Sequence, residues 1–302
     1  MAEIITAKFI WMNGKLVRWN DARVHVMTHA LNYGTAVFEG IHSYNTGEGA
    51  AIFRLDEHIR RFFYSARSLS MSLNFTKHQL KKAIKKLMKA NGLSEAYIRP
   101  FAYYGYGNVS VFPRDINSEM TILAIPEYGS YPKNLKVITS KYAKPSQKST
   151  VFGAKISGNY INPIIAMFEA RKKGYDEALM LDCEGYVAEG PIQNMFMVKN
   201  GAIITPDSRA ALLGITRDTI IKIGNSLGFH VYEKKVTLKE AKKADEMFFC
   251  GTATEIVPIS SVDDVKIGNG NCGEITSILK NKFQEIVRGK DRKYIKWLTY
   301  IN

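Results

Sequence analysis

A single lysine stands among small residues in the stretch GAKISGNY, residues 153–160. Most lysines are solvated surface charges, and Gly/Ser-rich stretches are most often loops, so this stretch alone does not identify a function. The small neighbours nevertheless leave the amine of Lys155 open to a bulky partner. Because an amine of this kind can form a Schiff base with a carbonyl compound, the stretch raises the possibility of covalent chemistry at Lys155.

Three further motifs supply groups that such chemistry would use. Glu189 ends a predicted strand in YVAEGPIQNMF, and Thr252 lies in the turn CGTATEI. ALLGITRD places Ile215 and Thr216 at the start of a predicted helix. Each motif alone is typical of an ordinary turn or a solvated charge. Together they fit an anionic aromatic cofactor, because N–H groups at a helix start bind phosphate and a carboxylate can hold a proton on a pyridine nitrogen.

Turn signals and apolar spacing divide the rest of the chain into short strands and a few helices. The first thirty residues suggest strands, with a hairpin at Asn13-Gly14 and an alternating strand in ARVHVMTH, residues 22–29. Further hairpins are expected around residues 46–49, 184–185 and 200–201. Helices are predicted from Leu55 to about Met71, over residues 77–89, from NYINPII to a stop at Gly174, from a cap at Thr216, and over ITSILKNKFQEIVRGK.

Composition separates the function classes only coarsely. The 302 residues are 46% hydrophobic and 23% charged, which is typical of a globular protein with a sizeable core. The net charge of +14 makes a basic nucleic-acid-binding protein the alternative from another class. The densest basic run, residues 77–89, instead predicts an amphipathic helix with a solvated face. We therefore expect no nucleic-acid partner.

Cysteine usage and the chain start bear on metal sites and location. The three cysteines, Cys183, Cys250 and Cys272, offer neither a disulfide framework nor the spacing of metal ligands, so we expect no metal. Apolar runs fall short of the ~20 residues that span a membrane, and the N-terminus lacks the pattern of a secretion signal. The expectation is a cytoplasmic protein without a membrane partner.

Seven ordered motifs give the chain a resemblance to a known family. They are HALNYGTAVFEGIHSY, RLDEHIRRF, AYIRP, AKISGNY, EGPIQNMF, GITRD and GTATEI. The sequence resembles the branched-chain amino acid aminotransferases, pyridoxal-phosphate enzymes of fold type IV, almost from end to end. The resemblance implies an α/β (α+β) fold with a small N-terminal α/β domain over 1–127, a linker over 128–135 and a larger, β-barrel-like C-terminal domain with helices over 136–302.

The resemblance also implies roles for individual residues. Lys155 would be the Schiff-base residue, Tyr160 would hydrogen-bond the phenolic oxygen of pyridoxal 5'-phosphate, and Glu189 would pair with the pyridine nitrogen. The implied phosphate contacts are Arg61, Ile215, Thr216 and Thr252. The implied substrate contacts are Tyr33, reaching across a dimer interface, with Phe38, Tyr97, Arg99, Tyr131, Thr252 and Ala253.

The implied activity is transfer of the amino group of leucine, isoleucine or valine to 2-oxoglutarate by a ping-pong mechanism, in at least a homodimer and possibly a hexamer. Two residues depart from the family pattern: His42 stands where arginine is usual, and Ile192 replaces a smaller residue. His42 bears on the preference for the amino acceptor. D-amino acid aminotransferase and aminodeoxychorismate lyase are the alternatives within the fold type.

Overall fold

The chain was analysed as a computed structural model that describes residues 6–126, 132–207 and 209–301. Residues 127–131, which include the first half of the predicted linker, lie outside the described residues. Two compact units make up the structure. The first comprises Met1–Gly129, Ala154–Gly158 and Glu285–Asn302, and the second comprises Ser130–Gly153 and Asn159–Gln284.

Strands and helices alternate irregularly along the described chain. The strands are β1 (Phe9–Met12), β2 (Lys15–Arg18), β3 (Ala36–Phe38), β4 (Ile41–Thr46), β5 (Gly49–Phe53), β6 (Ala96–Tyr104), β7 (Ser118–Ile125), β8 (Leu135–Thr139), β9 (Glu177–Leu181), β10 (Val187–Glu189), β11 (Asn194–Lys199), β12 (Ala202–Pro206), β13 (Val231–Lys234), β14 (Glu246–Gly251), β15 (Glu255–Val262), β16 (Val265–Lys266) and β17 (Leu298–Tyr300). The α-helices are α1 (His29–Tyr33), α2 (Leu55–Ser68), α3 (Lys77–Asn91), α4 (Ile161–Lys172), α5 (Ile215–Ser226), α6 (Leu238–Ala241) and α7 (Glu274–Val287). Short 3-10 helices span Trp19–Asp21, Ser157–Tyr160 and Arg292–Trp297. Among the described residues, no helix is long and apolar enough to cross a membrane.

The first unit is an eight-stranded sheet whose core lies under two helices. Its order is β17-β5-β4-β6-β7-β1-β2, with β3 paired to β6, and its strand pairs are antiparallel. The apolar stripe of α2, which includes Leu55, Ile59 and Phe62, is buried in one cluster with the stripe of α3 and with sheet residues. Each such side chain contributes roughly 1.5–3 kcal/mol when fully buried. The predicted helices at both places are confirmed.

Helix α3 begins and ends where its sequence directs. Thr76 and Gln79 form a capping box at its start, and Gly92 ends it in the left-handed conformation with φ of 65°. Leu80, Ile84 and Leu87 are fully buried, while most of its lysines are exposed. This arrangement is the predicted amphipathic helix with a solvated basic face.

Two Asn-Gly pairs form the predicted hairpins. Asn13 and Gly14 both have positive φ between β1 and β2, and Asn200 and Gly201 do so between β11 and β12. The strand predicted over residues 22–29 is wrong. Residues 22–27 form neither helix nor strand, and His29 already begins α1. The alternating pattern there failed because Val24 and Val26 are exposed and have no partner strand.

The second unit is a nine-stranded mixed sheet. Its order is β10-β9-β8-β15-β14-β11-β12-β13, with β16 paired to β15. The pairs β8–β9, β8–β15 and β12–β13 are parallel and the other pairs are antiparallel. Helix α4 ends before Gly174, as predicted, and Gly174 has a φ of 83°. The mixed α and β composition expected from the sequence is confirmed.

The units draw on separated parts of the chain because of two pairings. Strand β17, near the C-terminus, pairs with β5, and the short segment Ala154–Gly158 runs beside β3. The predicted limits of the two domains, 1–127 and 136–302, therefore differ from the limits of the compact units and stay a prediction about domains.

Candidate active site

The segment that carries Lys155 is fastened to the first unit through its backbone. The N–H of Lys155 donates to Ser65 Oγ at 2.8 Å, and the N–H of Phe38 donates to the Lys155 carbonyl at 3.2 Å. Ile156 forms an antiparallel bridge with Val37. The segment therefore extends the sheet beside β3, while residues Gly153 and Asn159 on either side belong to the second unit.

Two glycines allow the closest approach of this segment to α1. The N–H of Gly158 donates to the Gly34 carbonyl at 3.1 Å. Gly34 ends α1 in the left-handed conformation, and a Cβ on Gly34 would stand 3.0 Å from the Cα of Gly158. A side chain at residue 34 would thus press on the segment that holds Lys155. Both glycines are part of the motifs quoted above, and this contact gives a physical reason for them.

Phe38 lies between the lysine and an arginine. Lys155 Nζ is 4.5 Å from the centroid of the Phe38 ring, and the guanidinium carbon of Arg99 is 5.0 Å from the same centroid. Arg99 Nη2 also donates to Tyr97 Oη at 2.9 Å. The structure therefore brings together Lys155 and three of the residues predicted to contact substrate, in a setting with one apolar wall and two cationic groups.

Two other predicted substrate residues lie apart from that group or cannot be described. The hydroxyl of Tyr33, in α1, donates to the Val109 carbonyl at 2.6 Å, and its side chain is largely exposed. Tyr131 lies outside the described residues.

Arg61, a predicted phosphate contact, is held by a buried carboxylate. Its Nε donates to Glu39 Oε1 at 2.6 Å and its Nη2 donates to Glu39 Oε2 at 2.9 Å. His58 Nδ1 donates to Glu39 Oε2 at 2.8 Å. Burial alone would raise the pKa of Glu39, but the charge and hydrogen bonds of Arg61 and the bond from His58 lower that pKa to about 2. Glu39 is therefore ionised at neutral pH, and it fixes the direction of the Arg61 side chain.

His42 is a neutral side chain on the sheet of the first unit. It stands opposite Tyr97 in the pairing of β4 with β6, and its ring packs on Tyr44 with centroids 4.5 Å apart. Its Nδ1 is buried without a hydrogen-bond partner among the described residues. Burial, and then the positive charge of Arg288, lower the pKa of His42 to about 4. At neutral pH this residue carries no charge, unlike the arginine that the family pattern places here.

Glu189 lies in the second unit at the end of β10, where both of its oxygens meet donors. Lys144 Nζ is 2.6 Å from Oε1. Asn194 Nδ2 donates to Oε2 at 2.9 Å, and the N–H of Leu212 donates to the same oxygen at 3.2 Å. Sequence analysis found Glu189 but missed Lys144 and Asn194. The asparagine is part of the quoted EGPIQNMF motif, whereas no local pattern marks the lysine.

Helix α5 begins with the residues predicted to bind phosphate. Gly214 is its N-cap residue and makes no side-chain cap, so the predicted cap at Thr216 is wrong. Thr216 lies within the first turn and is buried. A Cβ on Gly214 would overlap Asn194 Oδ1, which explains why the cap is a glycine rather than a hydroxyl residue. The N–H groups of a first turn point beyond the helix and favour an anion there.

The first turn of α5 is tied to the sheet through Arg217. This buried side chain donates to Thr205 Oγ1 at 3.3 Å and to the Pro206 carbonyl at 3.2 Å, and it pairs with Glu233 at 2.7 Å. Because the guanidinium joins α5 to β12 and β13, the start of the helix has a fixed direction.

The remaining predicted contacts lie in turns of the second unit. Thr252 and Ala253 form the turn between β14 and β15, and both are half-buried. Tyr160 ends a 3-10 helix immediately before α4 and is also half-buried. Ile192, which departs from the family pattern, is exposed.

The donor set suits pyridoxal 5'-phosphate. A half-buried lysine amine, an ionisable carboxylate held by donors, and the first turn of a 12-residue helix match the aldehyde, the pyridine nitrogen and the phosphate. Ser157, two residues after Lys155, has a buried hydroxyl with no partner among the described residues. By contrast, the described part of the chain holds no group of three or more His, Cys, Asp or Glu side chains placed to bind a metal ion.

Comparison with known proteins gives concordant matches over most of the chain. Residues 36–262 match the model of the family described as amino-transferase class IV. A branched-chain-amino-acid aminotransferase of Pseudomonas aeruginosa is 40% identical over 298 residues, which are 97% of each chain.

Two solved structures of branched-chain amino acid aminotransferases are also similar. One, from T.th., is complexed with N-(5'-phosphopyridoxyl)-L-glutamate and aligns with a TM-score of 0.95 at 42% identity, covering 99% of this chain and 100% of the other. The second, from the thermophilic archaeon Thermoproteus uzoniensis, was solved with norvaline. It aligns with a TM-score of 0.93 at 38% identity and covers 98% of this chain and 100% of the other.

Proposed function

The chain belongs to the amino-transferase class IV family, and from this premise we propose that it is a branched-chain-amino-acid aminotransferase. It uses pyridoxal 5'-phosphate to move the amino group of leucine, isoleucine or valine to 2-oxoglutarate, giving branched-chain 2-oxo acids and L-glutamate. The two half-reactions follow one another in a ping-pong order. The support is the similarity to enzymes of that name over nearly the full length of both chains.

The structural observation that carries this proposal is the position of Lys155 on the Phe38 ring, with Arg99 on the same ring. An amine beside an aromatic wall is partly removed from water, which favours its neutral, nucleophilic form. The wall suits an aliphatic side chain, since each buried CH₂ contributes roughly 0.8 kcal/mol. The arginine suits the second carboxylate of glutamate.

The residues of the chain would divide the work of proton transfer. When bound, the cofactor supplies an electron sink for the bond that is broken at the substrate α-carbon. Lys155 takes the proton from that carbon and returns it on the other side of the exchange. Glu189 keeps a proton on the pyridine nitrogen, and Tyr160 donates to the phenolic oxygen. Both groups make the sink more effective.

Binding roles fall to the other predicted residues. Arg61, Ile215, Thr216 and Thr252 would hold the phosphate. The backbone at Thr252 and Ala253, together with Tyr97, would bind the α-carboxylate shared by all substrates. Phe38 and Tyr33 would line the aliphatic side chain, and Arg99 with Tyr131 would meet the γ-carboxylate of glutamate. Assembly into at least a homodimer, and a cytoplasmic location, stay predictions from the sequence.

A panel of L- and D-amino acids with 2-oxoglutarate tests the proposed function. Purified protein loaded with pyridoxal 5'-phosphate is incubated with each donor, and the L-glutamate formed is measured. We expect leucine, isoleucine and valine in their L forms to be the best donors. Preference for D-alanine or D-glutamate would favour a D-amino acid aminotransferase. Absence of glutamate with every donor would remove the proposal.

A further inference from the structure

A second buried lysine lies in the unit that holds Glu189. Lys144 is only 8% exposed, and its Nζ is 2.6 Å from Glu189 Oε1 and 3.3 Å from the Pro191 carbonyl. The side chains of the two partners are 10% and 5% exposed. Burial of two charges in this way is costly unless they pair closely, so the pair needs a reason beyond surface solvation.

The backbone of Lys144 is anchored where its side chain can reach the carboxylate. Its N–H donates to the Leu181 carbonyl at 2.8 Å, and its own carbonyl accepts a weak bond from Cys183 Sγ at 3.7 Å. Leu181 ends β9, the strand that pairs with β10 and thus with Glu189. The lysine is therefore fixed to the same hairpin that carries its partner.

The other oxygen of Glu189 is met by neutral donors. Asn194 Nδ2 and the N–H of Leu212 both donate to Oε2, and Asn194 Nδ2 also donates to the Leu212 carbonyl at 2.8 Å. These groups orient the carboxylate, but neutral donors stabilise its charge less than a cation in contact does. Lys144 is the side chain that supplies a full positive charge to this carboxylate.

We propose that Lys144 is a positioning residue that keeps Glu189 ionised, so that the proton between Glu189 and the cofactor's pyridine nitrogen stays on the nitrogen. The inference rests on the proposed function, in which Glu189 is the partner of that nitrogen. A cation in contact with a carboxylate lowers its affinity for a proton. Without that cation, a carboxylate buried to this degree is better satisfied by taking the proton itself, and the nitrogen would become neutral.

The test reads the protonation state of the nitrogen directly. Each variant is loaded with pyridoxal 5'-phosphate labelled with ¹⁵N in the ring, and the ¹⁵N chemical shift is measured by NMR at neutral pH. The variants are Lys144→Met, Lys144→Arg and Glu189→Gln. Lys235→Met is the matched control, because Lys235 pairs with Glu184 on the surface of the same unit at 2.5 Å.

We expect wild type, Lys144→Arg and Lys235→Met to share the shift of a protonated nitrogen. Lys144→Met should move most of the way to the shift of Glu189→Gln, which represents the neutral nitrogen. If Lys144→Met does not fold, Lys144→Gln serves instead, since it keeps a hydrogen-bond donor without the charge, and the same movement is expected.

Two results would overturn the inference, and they differ in what else they remove. A wild-type shift in the charge-removing variant, with Glu189→Gln displaced, shows that Lys144 has only a structural role while the proposed function stands. A wild-type shift in Glu189→Gln shows that Glu189 is not the partner of the nitrogen, and that part of the proposed function falls as well.

Discussion

Arg61 grips Glu39 at two points, Nε to Oε1 at 2.6 Å and Nη2 to Oε2 at 2.9 Å. Glu39 is completely buried, whereas the Arg61 side chain is 13% exposed. A two-point ion pair fixes the plane of the guanidinium as well as its position. Arg61 is a predicted phosphate contact, so the buried carboxylate is in a position to aim it.

Replacing Glu39 by glutamine should destabilise the first unit. The change leaves Arg61 largely buried beside a neutral amide, and breaking a buried pair from one side costs about 3–5 kcal/mol. Urea unfolding of the two proteins measures the difference. Asp56→Asn is the matched control, because Asp56 pairs with Lys81 at an exposed site and should change stability by less than about 0.5 kcal/mol. Equal stability of Glu39→Gln and wild type would show that the pair adds nothing.

His42 should make stability depend on pH below neutrality. Its pKa in the folded protein is about 4, below the value of 6.5 for an ordinary histidine. Between these values the unfolded chain binds a proton that the folded chain does not, so stability is full above pH 6.5 and is lost as the pH falls towards 4. We expect His42→Gln to reduce this loss by about 3 kcal/mol, measured by urea unfolding across that range. A slope identical to that of wild type would contradict the burial of a neutral ring.

The contact between Gly34 and Gly158 can be separated from the cost of a left-handed backbone. Gly34 and Gly92 both end helices with φ of 65°, but a Cβ at Gly92 meets nothing within 4 Å. Alanine at either position should cost about 1–2 kcal/mol of stability for its backbone conformation. Only Gly34→Ala should also displace the Lys155 segment and lower kcat, by roughly 10–100-fold. Similar kcat values for the two variants would rule out a role for the close approach.

Arg99→Leu should affect acidic and aliphatic substrates differently. If Arg99 meets the γ-carboxylate, its loss removes a charge-assisted bond of ~1.5–3 kcal/mol, or roughly ten- to hundred-fold in the half-reaction with glutamate. The half-reaction with leucine should change much less. The two half-reactions are followed separately by cofactor absorbance, with the exposed Arg67→Leu as control. Equal losses would indicate that Arg99 serves the framework through Tyr97, and neutral His42 would not replace its charge.

Local sequence patterns predicted those parts of the fold that local physics determines. The Asn-Gly turns and the apolar stripes of α2 and α3 need only neighbouring residues, and they were found. The strand predicted over residues 22–29 failed because alternation shows which side chains differ in polarity, not whether a partner strand exists. The Thr216 cap failed because Asn194, distant in sequence, occupies the space beside residue 214.

The candidate site divides in the same way. Lys155, Glu189 and the start of α5 lie in recognisable motifs. Lys144 could not be found, since nothing in its own neighbourhood shows that a carboxylate from β10 lies against it. Glu39 stands within the quoted HALNYGTAVFEGIHSY motif, but its role depends on Arg61 and His58 in a helix that follows much later. Pairings between distant segments set these contacts, and a single sequence does not state them.

The central claim is that Lys155 is the residue to which the cofactor is attached. Borohydride reduction of the protein loaded with pyridoxal 5'-phosphate, followed by peptide mapping with mass spectrometry, tests it most directly. The predicted result is one cofactor-labelled peptide, the one that contains Lys155, and no label in Lys155→Ala treated in the same way. A label on any other lysine, including the buried Lys144, would contradict the account.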